Sequence, residues 1–327
     1  MAHPNLSIVI PTHNRRELVL RALDSVLAQT QALQVVVVDD ASSDGTAEAI
    51  RGRSEADPRI ELVSSTRRNA SAARNAGLAR ATGEFLCFLD SDDCWLPGSH
   101  AAAMAAFERH PELAFVSLEG STPPGAEPRI DRVVAGDSPG WSHARFRDTP
   151  LVAESFPLPD GNSAPLLHGD FFPKILFGDL FYLSGLVMRR EAALAAGPFN
   201  ERFRYFNDWE FFARLCLVGP GAYLGHIGFL RDTGRADQIS RGRPITTMAR
   251  RQRYIVTSLA RRPSAARYAR VFANAADAAN YRMARCLAAT RHARWARAYF
   301  RRCLHRGHKP LRCLALLAGW PAAVPTW

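Results

Sequence analysis

The feature that most constrains this chain is an order repeated through its first 120 residues: a short apolar run, polar residues at its end, then a helix-like segment. "LSIVIPT" (Leu6 to Thr12) reads as a buried strand, and the segment after it carries Leu18, Leu20, Ala22, Leu23, Val26 and Leu27 as an apolar helical stripe. "LQVVVVDD" reads as a second strand ending in Asp39 and Asp40, followed by a helix with Ser42, Ser43 or Asp44 as candidate caps. "IELVSS", "EFLCFL" and "LAFVSL" read as further strands, with a helix over "SAARNAGLARA" between the first two. Runs this uniformly apolar suit strands buried on both faces, so the pattern predicts an α/β fold with a parallel sheet flanked by helices.

That topology says where chemistry belongs. In open parallel sheets, ligands bind beyond the carboxyl ends of the strands. Thr12, Asp39, Asp40 and the cluster Asp90, Ser91, Asp92, Asp93 all fall on that rim. The cluster, in "FLCFLDSDDCWLP", poses a problem of its own, because like charges at such range repel one another. One reading is a strand running into a helix, with Ser91 or an aspartate capping free N–H groups and Pro97 in the first turn. The other is that the carboxylates hold a hard divalent cation, magnesium or manganese, which chooses oxygen ligands.

A chain of 327 residues, 47% hydrophobic and 22% charged, is ordinary for a soluble protein of one large domain or two smaller ones. Cys87, Cys94, Cys216, Cys286, Cys303 and Cys313 form no C-x-x-C pair or zinc-like cluster, which predicts free thiols in a reducing, cytoplasmic setting. No signal peptide is read at the N-terminus, and Leu311 to Trp327, interrupted by Arg312 and prolines, argues against a spanning helix.

The net charge of +11 is unevenly spread. From Arg241 onward there are nineteen Lys or Arg against one acid, Asp277, a balance of +18; residues 1–240 hold the other 23 basic and 30 acidic residues, a balance of −7. The region after Arg241 reads as helical, with Ala284, Ala288, His292, Trp295 and Tyr299 on one face among arginines. Nine prolines between residues 120 and 180 predict an irregular insertion. Regular structure resumes at "FYLSGLVMRREAALAAGPFN" and "NDWEFFARLCLVG", the latter with a stripe through Trp209, Phe212, Leu215 and Cys216.

"SIVIPTHNR", "VVVVDDASSDGT", "RNASAARNAGLARATGEFLCFLDSDD" and "FNDWEFFARL", in this order and spacing, resemble successive signatures of the family 2 glycosyltransferases, enzymes of the GT-A fold. The resemblance covers about residues 5–119 and 181–219. With the proline and charge patterns, which it does not cover, it gives a catalytic domain over 1–240, with a nucleotide-sugar half (1–119), the insertion (120–180) and an acceptor half (181–240), followed by a basic helical region at 241–327. It further implies an inverting, metal-dependent transfer of sugar from a nucleotide diphosphate to a hydroxyl acceptor, in polysaccharide or glycolipid assembly.

Site roles follow from the same resemblance. Asp40 would bind the base, with Pro11 and Thr12 beside the nucleoside, and Arg74 would help hold the nucleotide. In the "DSD" motif Asp92 would be the metal ligand, for Mn2+ or Mg2+, and Asp90 would lie nearer the ribose. Asp208 of "FNDWEFFARL" matches the general base, although Asn207 stands where an acid is frequent. Weaker candidates are Asp39, Asp93, Tyr182, Ser184, Gly185, Arg231, Arg235 and Glu210, the last turned about 200° from Asp208 on a helix. Asp237 accompanies the arginines of "RDTGRADQIS", where no histidine ligand stands. The donor would be a UDP-sugar as first guess, and the acceptor a saccharide or lipid-linked glycan.

Other classes explain less. A Rossmann oxidoreductase would show G-x-G-x-x-G where this chain has "PTHNRR". A nucleic-acid binder could use the Arg-rich region, yet acidic rim residues repel phosphate. A sugar-nucleotide binder without turnover leaves Asp208 unused. The basic region reads either as solvated helix or as a surface for anionic lipid, worth about 1 kcal/mol per basic residue. Liposome flotation with and without residues 241–327 separates the two: loss of anionic-vesicle binding on truncation is the lipid outcome, equal partitioning the other.

Overall fold

A computed structural model describes residues 5–29, 33–121, 149–232, 246–289 and 292–305. The first apolar runs form β1 (Leu6–Thr12), β2 (Leu33–Asp40), β3 (Ile60–Ser65) and β4 (Phe85–Phe88), joined through α1 (Arg16–Leu27), α2 (Thr46–Ala56) and α3 (Ala70–Arg80). These strands are parallel, in spatial order β3-β2-β1-β4. The register sets Thr12 beside Asp39 and Asp40 beside Ser65, so the strand ends converge on one rim.

Beyond β4 come β5 (Cys94–Trp95), α4 (Ser99–Arg109), β6 (Phe115–Ser121), β7 (Leu151–Pro157), β8 (Ser163–Gly169), α5 (Phe172–Ile175), β9 (Leu186–Arg189), α6 (Arg190–Ala196), α7 (Asn207–Val218) and β10 (Gly221–Leu230). The sheet continues β4-β9-β6-β10-β8-β7, with β6 parallel to β10 and with β9, β8 and β7 antiparallel to their neighbours. The unbroken apolar runs have a simple cause. Val9, Val36, Val38, Leu86 and Phe88 enter a core with α3 and α7, while Ile8, Ile10, Val35, Val37 and Cys87 enter another with α1 and α4. A Cβ on Gly77 of α3 would stand 2.2 Å from Val9 Cγ1, so this helix docks on β1 only through a glycine.

Residues 151–169, expected to be irregular, form a hairpin that extends the sheet. The prolines stand where the ladder does not need them. Pro157 ends β7, Pro173 opens α5, and Pro165 faces Ser155 one residue before β8 begins pairing with β10 at Leu166. Pro123, Pro124, Pro128 and Pro139 lie outside the described residues.

The basic region contributes α8 (Thr247–Leu259), α9 (Ala269–Ala289) and α10 (Ala293–His305). Ile255, Val256, Leu259, Tyr268 and Phe272 share one core with Trp209, Phe211 and Phe212, so the described helices of the basic region pack on the same core as α7. Even an arginine is recruited: Arg282 donates to Gln252 Oε1 at 2.8 Å and to the Phe177 carbonyl at 3.0 Å. The expected face through Ala284 and Trp295 is split between two helices, and the break resets the helical phase. Ala296, Phe300 and Cys303 pack on Tyr281 and Ala284, leaving Trp295 63% exposed. Among the described residues, no helix is long and apolar enough to cross a membrane, and Cys87, Cys94, Cys216, Cys286 and Cys303 are free thiols.

Candidate active site

The acidic turn after β4 does not cap a helix. It closes through Asp93 N–H to the Asp90 carbonyl at 2.9 Å and runs into β5, and α4 starts only at Ser99. Each carboxylate instead meets a designated partner. Arg74 donates to Asp90 Oδ1 at 2.7 Å, Arg15 pairs with Asp92 Oδ2 at 2.9 Å, and Ser184 Oγ donates to Asp93 Oδ2 at 2.6 Å. Burial drives the Asp93 pKa well above the ordinary carboxylate range and the charges of Asp90 and Asp92 add to it, with Ser184 and Arg231 opposing.

Ser184 is the hub of this turn, since its hydroxyl also accepts from Asp90 N–H at 3.1 Å and its carbonyl accepts from Trp95 Nε1 at 2.7 Å. These bonds give Ser184 a scaffold role in the turn. Gly185 is scaffold too: a Cβ there would stand 2.5 Å from the Phe229 ring and 2.7 Å from the Leu118 carbonyl. Tyr182 packs edge-on against Phe229 and carries the Arg231 guanidinium 4.2 Å above its ring. Arg235 and Asp237 lie outside the described residues.

Asp39 and Asp40 point to opposite sides, as consecutive strand residues must. Asp40 accepts from Ser65 Oγ at 2.7 Å, Arg68 N–H at 2.9 Å and Asn69 N–H at 2.5 Å, and so fixes the loop that enters α3. Asn69 in turn caps α3 by accepting from the N–H groups of Ser71 and Ala72. Asp39 spends Oδ2 on Ser42 N–H at 3.2 Å, while its Oδ1 and the neighbouring Thr12 Oγ1 are buried with no partner among the described residues. Buried polar atoms of this kind are rare and ask for a ligand or water. Asp40 is thus engaged by the loop that enters α3, while Asp39 keeps an oxygen without a partner among the described residues. Pro11 runs beside Val38 just before this pair.

Across the rim, α7 brings Asp208 to the same place. Asn207 accepts from Asp208 N–H at 2.8 Å and from Arg74 at 3.5 Å, and donates to Ser71 Oγ at 2.7 Å. Asp208 accepts from Trp209 N–H at 2.8 Å, a partial capping role. The residue is only half-buried, yet its carboxyl lies deep enough that burial raises its pKa, with Asp90 adding to the effect and Trp209 N–H and Arg74 opposing it. Arg74 is thus shared between Asp90 and the start of α7, and its own Nε is a further buried donor without a partner among the described residues. Glu210 faces the other way, into a buried pair with Arg214 at 2.9 Å, which removes it as a substitute base.

Backbone strain gathers on the same rim. The non-glycine residues with positive φ among those described are Asn14, Ala41, Arg68 and Phe206, at 51°, 63°, 47° and 57°. They follow β1, β2 and β3 and precede α7, and strain of this sort concentrates at functional sites. Arg15, Ser65 and Asn69 are participants that sequence reasoning did not single out. Position was the available signal: Arg15 follows β1, and Ser65 and Asn69 stand at and after the end of β3, on the same rim.

Residues 7–147 match the sequence model described as Glycosyl transferase family 2. An uncharacterized glycosyltransferase of Nostoc sp. is 39% identical over 231 residues, 69% of this chain and 62% of that protein. The GalNAc(5)-diNAcBac-PP-undecaprenol beta-1,3-glucosyltransferase of Campylobacter jejuni is 36% identical over 104 residues, 31% of this chain and 34% of that protein. The chain therefore spans less than two thirds of the length of these relatives. Among solved structures, S. aureus TarS 1-349 in complex with UDP-GlcNAc superposes with a TM-score of 0.58 at 17% identity, over 86% of this chain and 71% of that one. Mannosyltransferase PcManGT from Pyrobaculum calidifontis, in complex with GDP-Man and Mn2+, gives 0.54 at 20% identity, over 98% and 85%. At such identities the likeness is one of fold, and the fold is GT-A. Residues 7–147 thus carry a family 2 glycosyltransferase segment, and the wider likeness is to glycosyltransferases.

Proposed function

We propose that this chain transfers a sugar, with inversion, from a nucleotide diphosphate donor to a hydroxyl acceptor in the assembly of cell-envelope polysaccharide or glycolipid. One observation carries the reading: Asp208, Arg74 and Asp90 converge on the rim where Thr12 Oγ1 and Asp39 Oδ1 are buried without partners. Thr12 and Asp39 would receive the nucleoside. Arg74 would orient Asp90 toward the ribose side, and Asp208 would take the proton from the acceptor hydroxyl as its oxygen attacks the anomeric carbon. Direct displacement of this kind inverts that carbon and forms no covalent sugar-enzyme bond.

The carboxylates of the "DSD" turn, free of thiol or imidazole, make a donor set suited to a hard cation, with Asp92 the residue to hold Mn2+ or Mg2+ and Asp90 behind it. A divalent cation there supplies charge neutralisation to the departing diphosphate. GDP-Man and Mn2+ in PcManGT, UDP-GlcNAc in TarS and the undecaprenol-linked substrate in the name of the Campylobacter jejuni relative support the donor class, the metal and the envelope setting.

Thermal shift against UDP and GDP, with and without Mn2+, tests the proposal. A nucleotide at a hundred times its Kd should stabilise the protein by about 2.7 kcal/mol. Asp92→Ala should erase the Mn2+-dependent part, and Asp39→Ala should weaken the part seen without metal. Absence of any nucleotide shift, or a Mn2+ effect untouched by Asp92→Ala, would refute it.

A further inference from the structure

At the opposite end of the sheet from the acidic turn, a second group of ligating side chains comes together. His110 and Glu112 lie in the corner between α4 and β6, ahead of the first residue of β6, and His168 lies on β8 where it pairs with Ala222 near the start of β10. One ligand atom each from His110, Glu112 and His168 can be chosen so that all lie within 4.8 Å of one another. The two imidazole rings are 4.2 Å apart between centroids. Nothing in the proposed transfer uses these residues, and residues so distant in sequence carry no motif.

The hydrogen bonding around His110 shows what is missing from an account based on the protein alone. Its Nε2 stands 2.8 Å from Glu154 Oε1, and its Nδ1 stands 3.5 Å from Glu112 Oε1. A neutral imidazole has one N–H and one lone pair. With Nε2–H donated to Glu154, Nδ1 is the ring atom left to serve as a ligand, on the side where Glu112 stands. A cation bound there would bridge Nδ1 and the Glu112 carboxylate, and the His168 ring lies beside His110, tilted to it by 37°. Metal-bound histidines characteristically donate their second N–H to a carboxylate, which fixes the ring and raises its basicity. Glu154 meets that description and is itself held by Arg109 through contacts of 3.2 Å.

The geometry points to a site for a zinc-type divalent cation formed by His110, His168 and Glu112, with Glu154 supporting His110 from behind. Two imidazoles and a carboxylate suit such an ion and not magnesium or calcium, which prefer oxygen alone. A tetrahedral zinc site needs ligand atoms about 3.3 Å apart, given bonds near 2.05 Å. His110 Nδ1 and Glu112 Oε1 are already 3.5 Å apart, and the Glu112 side chain, 56% exposed, has room to adjust. Bound there, the ion would tie the β7–β8 hairpin, the edge of the sheet, to the corner that leads into β6.

Zinc titration of the full chain after chelator treatment, in excess Mg2+ and without nucleotide, tests this by calorimetry, with Co2+ absorption as a second reading of the ligands. One saturable equivalent is expected, with visible Co2+ bands of a four-coordinate N/O site. His110→Ala and His168→Ala should each weaken it at least tenfold, and Glu154→Gln about 10–100-fold through the outer contact. His168→Gln serves where the alanine variant fails to fold. Asp92→Ala should leave this equivalent in place, so failure here is separable from failure of the proposed transfer reaction. No saturable uptake by the wild-type chain, or uptake retained in both histidine variants, would overturn the site; a histidine pair that only gains protons gives the first of these results.

Discussion

Asp208→Asn is expected to lower sugar transfer by about 10²–10⁴-fold, the usual worth of a positioned general base, while nucleotide binding stays as it was. Asparagine keeps an oxygen for the Trp209 N–H, so the start of α7 should hold and the loss should be chemical. The pH profile supplies an independent reading. Burial and Asp90 raise the Asp208 pKa, so the wild-type rate should climb with pH through a limb displaced upward from the ordinary carboxylate range. Arg74 opposes that shift, and Arg74→Met should move the limb to still higher pH. Stability runs the other way. A carboxyl whose folded pKa is raised contributes stability that is present below its unfolded pKa and lost as pH rises through the folded value. Asp208→Asn, which cannot ionise, should therefore be more stable than wild type near neutrality and lose that advantage in acid. Full transfer by Asp208→Asn in a competent assay would take the residue out of the base role.

Much of this arrangement was legible before any coordinates, and the reason is periodicity. Runs such as "LQVVVVDD" are apolar at every position because alternate valines feed two different cores, Val36 and Val38 one and Val35 and Val37 the other. A sheet of this kind exposes its functional rim at the strand ends, which is why Thr12, Asp39, Asp90 and Asp92 could be named from sequence. Choosing between Asp39 and Asp40 was beyond that reasoning. Which of two neighbours is free depends on Ser65, Arg68 and Asn69, residues 25 to 29 positions away that close on Asp40. The same limit applies to Ser184, whose partners Asp90 and Asp93 are 94 and 91 residues distant. The hairpin of β7 and β8 was hidden differently, because prolines were counted without knowing which N–H groups the ladder would leave unused.

The largest stability effect should come from Glu210. Its carboxylate and the Arg214 guanidinium meet through contacts of 3.0 and 2.9 Å, with Glu210 5% and Arg214 5% exposed. Arg214 also donates to the carbonyls of Ala196, Gly197 and Pro198, the turn that leaves α6 and leads toward Phe199 beneath Arg74. Glu210→Ala strands a buried cation and should cost about 3–5 kcal/mol, a large share of the 5–15 kcal/mol that holds a typical domain together. Denaturant unfolding measures it. The double change Glu210→Leu with Arg214→Met should recover part of that loss by removing both charges, though the three carbonyls then need other donors. Glu210→Gln keeps the shape of the side chain and tests the chemistry separately. With Asp208 as base, Glu210→Gln that melts near wild type should transfer sugar within a few-fold of it. Should such a folded variant lose transfer by orders of magnitude, the proton acceptor would have to be sought at Glu210, and its pair with Arg214 would have to open during turnover.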